Sequence, residues 1–338
     1  MNPDDMVILK AGMIKSGNVW LWTLLRSIAR HAGMKEKGYV LSPEAEQWAR
    51  NVARDLTGME RADGIQIGRH SCHIKFGPYV GNRIRDIDAY VSQCRHVWTH
   101  SPIHPTNIDT YRRFHRIVYI IRDPRDIAIS FARWAFTPSV LKVFPHYRYD
   151  RDPAQFLASH LDYILRTWVS HVGSYLQWHQ KLRIHIVFYE RLLHAFDEEL
   201  GRLLSYLGIN LAETGVTAVK EDVAFEAMKR HNPMHLRAGM SRQWVESFGE
   251  EQQRLSELIA GRMLRLLHYP VSIDEPERLP VIPAGFSGED LEEAIAQARR
   301  GFRDHVGRIY GFLTGSRPVM ARLHSLGRWT KEQLAGTE

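Results

Sequence analysis

Two stretches of this 338-residue chain have the residue types and spacing to hold an anion. The first is Lys15-Ser16-Gly17-Asn18-Val19-Trp20, which follows Val7-Ile8-Leu9-Lys10 and precedes a leucine-rich segment. A short strand that feeds a glycine turn, where the turn opens a helix, aims backbone N–H groups at a phosphate. Gly17 lets the backbone approach closely. The N–H groups of Gly17, Asn18 and Val19 fall where the helix carries its partial positive charge. Lys15 adds a point charge with three donors, and Trp20 offers a face on which a base can stack. The other reading is a strand–turn–helix corner with a solvent-facing lysine. The loop alone leaves both open.

The second stretch is Arg122-Asp123-Pro124-Arg125-Asp126-Ile127-Ala128-Ile129-Ser130. It follows the apolar run Arg116–Ile121, at the strand end where open parallel sheets bind ligands. A helix starting near Asp126 carries Ser130 about one turn in, on the side of Arg122. An arginine and a hydroxyl so placed can share a phosphate. The competing reading is a capping cluster, in which Asp123 or Asp126 caps the helix and pairs with Arg125.

These residues need a scaffold, and the chain supplies strand-like and helix-like segments in alternation. Residues 6–10, 95–99, 116–121 and 183–189 read as strands. Residues 20–32, 126–135, 154–181 and 190–207 read as helices, the last stopped by Gly208. Such alternation predicts an α/β fold, a P-loop-like parallel β-sheet flanked by helices on both faces. The loops after Lys10, Thr99 and Ile121 then converge on one site. Residues 274–283, rich in proline and acid, read as a linker. They separate a main domain, 1–273, from a C-terminal helical extension, 284–338.

Composition narrows the classes. The hydrophobic fraction of 44% suits one large core or two smaller ones. The net charge of +7 favours anionic ligands in general and does not single out nucleic acid. No zinc-finger, recognition-helix or RNA-binding aromatic motif is present. Cys72 and Cys94 make neither a disulfide framework nor a zinc site. The acidic start lacks a basic-then-apolar leader, and no apolar run approaches the roughly 20 residues of a membrane span. A soluble cytoplasmic protein is expected.

The two stretches together resemble the sulfotransferases that use 3′-phosphoadenosine 5′-phosphosulfate (PAPS). Residues 15–20 are similar to that family's 5′-phosphosulfate loop, and Arg122 through Ser130 to its 3′-phosphate motif. Thr99-His100-Ser101-Pro102 resembles its Thr-His-Leu-Pro segment, and Phe188-Tyr189-Glu190 its Phe-Tyr-Glu strand end. Phe225-Glu226-Ala227-Met228-Lys229 with Asn232-Pro233-Met234 resembles the adenine-side segment. Arg237-Ala238-Gly239, then Trp244 and Phe248, resembles the loop that closes over the cofactor. The six matches fall in the family's order across residues 7–270.

There are departures. The family's lysine before Thr-His is Trp98, its Thr-Thr after the loop glycine is Asn18-Val19, and the lysine of the closing loop is Ala238. Arg242-Gln243 replaces Gly-Asp before the tryptophan, and no dimer motif is recognisable across residues 245–254. An outlying, bacterial-type member fits these changes.

The resemblance implies transfer of a sulfuryl group from PAPS to a hydroxyl or amine, leaving 3′-phosphoadenosine 5′-phosphate (PAP). It makes Lys15 and His100 catalytic, with His100 as base. It gives cofactor contacts to Lys15, Ser16, Gly17, Asn18, Val19, Trp20, Arg122, Ser130, Tyr189, Phe225, Met228, Arg237, Ala238 and Gly239. No metal is implied. The acceptor is a small molecule, glycan or lipid. Its pocket is expected from residues 34–63 and 137–152. Residues 300–338 hold seven Lys/Arg against three Asp/Glu, together with aromatic and aliphatic residues. Such a segment rests on a membrane surface or packs back on its own domain. Two rival readings are a P-loop phosphotransferase and a PAP-binding relative without turnover. The former wants lysine after the last glycine, whereas Lys15 precedes Gly17.

Overall fold

The fold is described from a computed structural model, which covers residues 5–41, 63–77, 79–231 and 239–300. Seven strands form one sheet: β1 (Ile8–Gly12), β2 (Gly64–Ile67), β3 (Cys72–Phe76), β4 (Tyr79–Ile84), β5 (His96–Thr99), β6 (Arg116–Ile121) and β7 (His185–Phe188). Their spatial order is β4-β3-β2-β5-β1-β6-β7. The strands β2, β5, β1, β6 and β7 run parallel. The expected α/β sheet is present, with an addition. Residues 64–84 form an antiparallel extension, β2-β3-β4, that makes the sheet mixed.

The two sheet faces carry different cores. Alternating residues of one strand point to opposite faces, so Ile8 and Leu9 enter different clusters. Ile8, Val118, Ile120 and Val187 pack beneath α1 (Asn18–His31), through Leu21, Leu24, Leu25 and Ile28. Leu9, Ala11, Tyr119 and Ile121 face the other core. That core holds α2 (Pro124–Ala135) and α3 (Pro153–Trp178).

The helix expected at 190–207 is two, α4 (Tyr189–His194) and α5 (Phe196–Leu207), broken at Ala195. Gly208 ends the second as expected. Residues 276–283 have no regular structure, and a helix, α7 (Gly288–Arg299), follows α6 (Glu250–Leu266) and this stretch. Leu291, Ala294, Ile295 and Ala298 of α7 enter the same core as α3 and α6. Residues 301–338 lie outside the described residues, as do 42–62 and 232–238.

Two residues earlier than the sequence suggests, α2 begins at Pro124, because Asp123 is its cap and accepts from the Arg125 N–H at 2.9 Å. The Arg125 guanidinium turns back onto the Asp123 carboxylate at 2.6 and 2.9 Å. It also donates to the carbonyls of Pro270 and Val271 and lies 3.5 Å from the Trp244 ring centroid. Asp123 and Arg125 are therefore the capping pair of the competing sequence reading. They fasten the strand end that carries Arg122 to the C-terminal part of the fold. Removing the guanidinium leaves the buried Asp123 carboxylate with no cation, so Arg125→Ala is expected to cost about 3–5 kcal/mol in denaturant unfolding. A loss below about 1 kcal/mol contradicts this assignment.

Candidate active site

Three loops meet at the carboxyl edge of the parallel strands: residues 13–17 after β1, 100–102 after β5 and 122–123 after β6. The first turns sharply. Lys15 has φ +69°, and Gly17, the residue before α1, has φ +93°. A Cβ on Gly17 would stand 2.6 Å from the Tyr189 ring, so only glycine fits this corner. No side chain caps α1, and the leading N–H groups of a helix have no partner within it. The Ser16 hydroxyl is buried and has no hydrogen-bond partner among the described residues. The Lys15 ammonium sits 5.6 Å from the Trp134 ring centroid. Burial lowers its pKa to about 8, and the Arg122 charge adds to that.

The Asn18 side chain is committed inside the protein. Its Nδ2 donates to the Met13 carbonyl at 2.7 Å, and its Oδ1 accepts from Lys10 Nζ at 3.0 Å. The Asn18 contribution expected at the helix start is then its backbone N–H. Its side chain shapes the turn.

Arg122 is buried at the end of β6. It donates to the Lys15 carbonyl at 3.3 Å and the Met240 carbonyl at 3.0 Å, and lies 4.2 Å from the Tyr189 ring centroid. Its Nε has no hydrogen-bond partner among the described residues. The nearest acid is Asp126, with Oδ2 3.8 Å away. Burial raises the Asp126 carboxyl to about 6, against the pull of Arg122. Ser130 is half-buried in the second turn of α2. Beneath Arg122, Glu190 accepts from the Asp123 N–H at 2.9 Å and from the Tyr269 hydroxyl at 2.8 Å. The segment Phe188-Tyr189-Glu190 thus sets Tyr189 against both Gly17 and Arg122, and Glu190 under the Arg122 loop.

His100 follows β5. Its Nδ1 is 2.6 Å from the Gly12 carbonyl, which can only accept. Nδ1 therefore carries the proton, and in the neutral ring Nε2 holds the lone pair. Burial holds its pKa well below 6.5, with Lys75 and Lys10 pushing the same way. A buried network fixes its backbone. His171 Nε2 donates to the His100 carbonyl at 3.1 Å, and its Nδ1 accepts from Tyr119 at 2.7 Å. The Tyr111 and Tyr175 hydroxyls both donate to the Ser101 carbonyl. The imidazole is neutral, oriented, and equipped to accept a proton.

One group was not foreseen. Lys75, Gly64, Trp98 and Lys10 form a single register row across β3, β2, β5 and β1. Both lysines are buried, and each ammonium lies 5.8 Å from the Trp98 ring centroid. Burial lowers Lys10 to about 7, with help from Lys75, and lowers Lys75 to about 8. The available signal was a lysine within each buried strand, Val-Ile-Leu-Lys and His-Ile-Lys-Phe. Lysine is seldom fully buried without a partner.

The remaining expected contacts divide. Trp20 is stacked on Phe196, at 6.3 Å and 10°, and meets Tyr189 edge-on at 5.7 Å. Val19 is half-buried at the helix start. Met228 is part of the α1 core. Gly239 lies against the Phe225 ring. Arg237 and Ala238 lie outside the described residues. Of the expected acceptor segments, 42–62 also lies outside them. In 137–152, Phe144 and Tyr147 are buried in the core, while Tyr149 is exposed. Among the described residues no helix is long and apolar enough to cross a membrane. No cluster of three or more His, Cys, Asp or Glu that could hold a metal is found among them either.

A sulfotransferase domain family model matches residues 3–262, and the chain belongs to that family. Mouse sulfotransferase 2A6 is 26% identical over 135 residues, covering 40% of this chain and 46% of that protein. Zebrafish (Danio rerio) cytosolic sulfotransferase 1 is 26% identical over 152 residues, covering 43% and 47%. The chain thus spans about half the length of the curated relatives it matches. Among solved structures, mouse sulfotransferase SULT7A1 complexed with PAP superposes with a TM-score of 0.53 at 18% identity, over 77% of this chain and 84% of that one. Retinol dehydratase in complex with retinol and PAP does so with a TM-score of 0.51 at 18% identity, over 83% and 84%. The fold is shared with these two.

The buried lysines make a stability prediction. Lys10 has a folded pKa of about 7 against an ordinary 10.5. The unfolded chain binds more protons between those values, so stability rises with pH across that window. Lys10→Met removes the ammonium. The variant is expected to melt above the wild type at pH 7, with a gain that shrinks toward pH 10. An equal or lower melting temperature at pH 7 contradicts the burial assigned to Lys10.

Proposed function

We propose that the protein transfers a sulfuryl group from PAPS to a hydroxyl or amine acceptor. The observation that carries this reading is the pairing of two anion-binding loops on neighbouring strands. The turn before α1 follows β1, and Arg122 follows β6, its guanidinium already touching the Lys15 carbonyl. A nucleotide phosphorylated at both 3′ and 5′ needs two such places. The donor set fits it: Ser16 Oγ and Arg122 Nε are buried polar atoms without partners among the described residues, and Lys15 is a half-buried cation.

Bound PAPS supplies the sulfuryl group. Lys15, Ser16 and the N–H groups of Gly17, Asn18 and Val19 hold its 5′ end and stabilise charge that grows there. Trp20 lines the same helix start. Arg122 and Ser130 hold the 3′-phosphate. Tyr189 and Phe225 face the nucleoside, with Met228 packed behind them in the α1 core, and Arg237, Ala238 and Gly239 belong to the loop assigned to close over the cofactor. His100 takes the acceptor's proton at Nε2, the nitrogen left unprotonated by the Gly12 contact. Its depressed pKa keeps it an available base down through weakly acidic pH. A soluble, cytoplasmic enzyme acting without a metal on a small molecule, glycan or lipid agrees with this reading.

Calorimetry with PAP and ATP tests the cofactor. PAP is expected to bind at least about tenfold more tightly, since a 3′-phosphate held by charge-assisted bonds is worth that much. Arg122→Ala is expected to erase the preference. Equal affinity for the two nucleotides supports a phosphotransferase instead. His100→Ala is expected to abolish sulfuryl transfer with PAP affinity nearly unchanged. A rate close to wild type removes His100 from the role of base. A protein that binds PAP but shows no transfer with a broad acceptor pool is the relative without turnover.

A further inference from the structure

We infer that Lys75, with Lys10 behind it, forms an acceptor-side anion subsite, and that the acceptor carries a carboxylate, sulfate or phosphate besides its reacting hydroxyl. This rests on the sulfotransferase reading above.

The strand order sets the direction. Moving across the sheet, Arg122 follows β6, the Lys15 turn follows β1, His100 follows β5, and Lys75 stands on β3 beyond β2. The proposed cofactor loops occupy the β6 and β1 positions. With the cofactor at those two positions, the acceptor reaches His100 from the β5–β2–β3 side of the sheet, where Lys75 stands. Lys10 faces the cofactor side, tied to Asn18 of the turn. Trp98 lies between the two. Its indole covers Gly64, where a Cβ would stand 2.6 Å from the ring. A larger residue at 64 would therefore displace the surface that separates the lysines.

The lysines lack the partners that buried ammonium groups ordinarily have. Among the described residues neither pairs with a carboxylate. The Lys75 ammonium has one long hydrogen bond, to Gln66 Oε1 at 3.4 Å, and Lys10 has the one bond to Asn18. Each ammonium offers three donors. Unpaired buried cations destabilise the fold, and an anion arriving at Lys75 relieves that charge. Where the resembling family has a lysine the chain has Trp98, so positive charge stands on either side of that position. Their field also depresses the His100 pKa, so an anion bound at Lys75 offsets charge beside the base.

Phenol, 4-hydroxybenzoate, 4-hydroxyphenyl phosphate and 4-hydroxybenzenesulfonate differ in one group. Their kcat/KM values with PAPS, on wild type and Lys75→Met, test the inference. The wild type is expected to favour at least one charged phenol over phenol by about tenfold or more, the worth of a charge-assisted hydrogen bond. The favoured member tells carboxylate from phosphate and sulfate. In Lys75→Met the ratio is expected to fall to near one, with PAP affinity within about twofold of wild type. A melting temperature equal to or above wild type shows that this variant folds. Phenol used as well as every charged member, a preference that survives Lys75→Met, or a PAP-binding protein that turns over none of the charged phenols overturns the inference. Failure to bind PAP instead removes the cofactor reading, and the inference with it.

Discussion

Buried positive charge without matching acid is the constraint on which this structure turns. Lys10, Lys75 and Arg122 are buried, and Lys15 is half-buried, near one edge of one sheet. Among the described residues the acid nearest any of them is Asp126, 3.8 Å from Arg122. A fold selected only for stability would replace such groups with apolar ones, because an unpaired charge in a low-dielectric interior is costly. The rest of the architecture holds these cations in place. The sheet is apolar on the face that packs α2 and α3, and the Asp123–Arg125 pair fastens the strand end that carries Arg122.

Rigidity around the site comes from groups that do no chemistry themselves. Glu190 and Tyr269 support the turn after β6. Tyr111, Tyr119, Tyr175 and His171 hold the turn after β5. Both networks are buried, where a satisfied hydrogen bond is strong and a lost one expensive. The His100 ring is oriented in this way by its own Nδ1 contact and by its backbone, with no carboxylate partner among the described residues. Burial, with the neighbouring lysines pushing the same way, holds the His100 pKa well below its ordinary value.

The parts of this picture visible in the sequence are those with a strong local signal. The apolar run at 116–121 is the strand as predicted, because every residue but the first is buried. The Lys15–Gly17 turn was legible because a glycine between an apolar run and a leucine-rich helix has few other uses. The β2–β4 extension was not, since its short strands mix Gln, His and Lys with apolar residues and read as loop. Lys10 and Lys75 were hidden for the same reason. A lysine in a strand ordinarily marks a solvent edge, and only the register across β3, β2, β5 and β1 brings the two together. The break at Ala195 and the early start of α2 came from backbone and capping choices that hydrophobic spacing does not report.

What occupies the cationic edge decides the chemistry of this protein. A crystal structure of the protein with PAP tests it most directly. The 5′-phosphate is predicted within hydrogen-bond distance of Lys15 Nζ and the N–H groups that open α1, with the 3′-phosphate on Arg122 and Ser130. A nucleotide bound elsewhere, or at this edge with Lys15 and Arg122 out of contact with either phosphate, contradicts it.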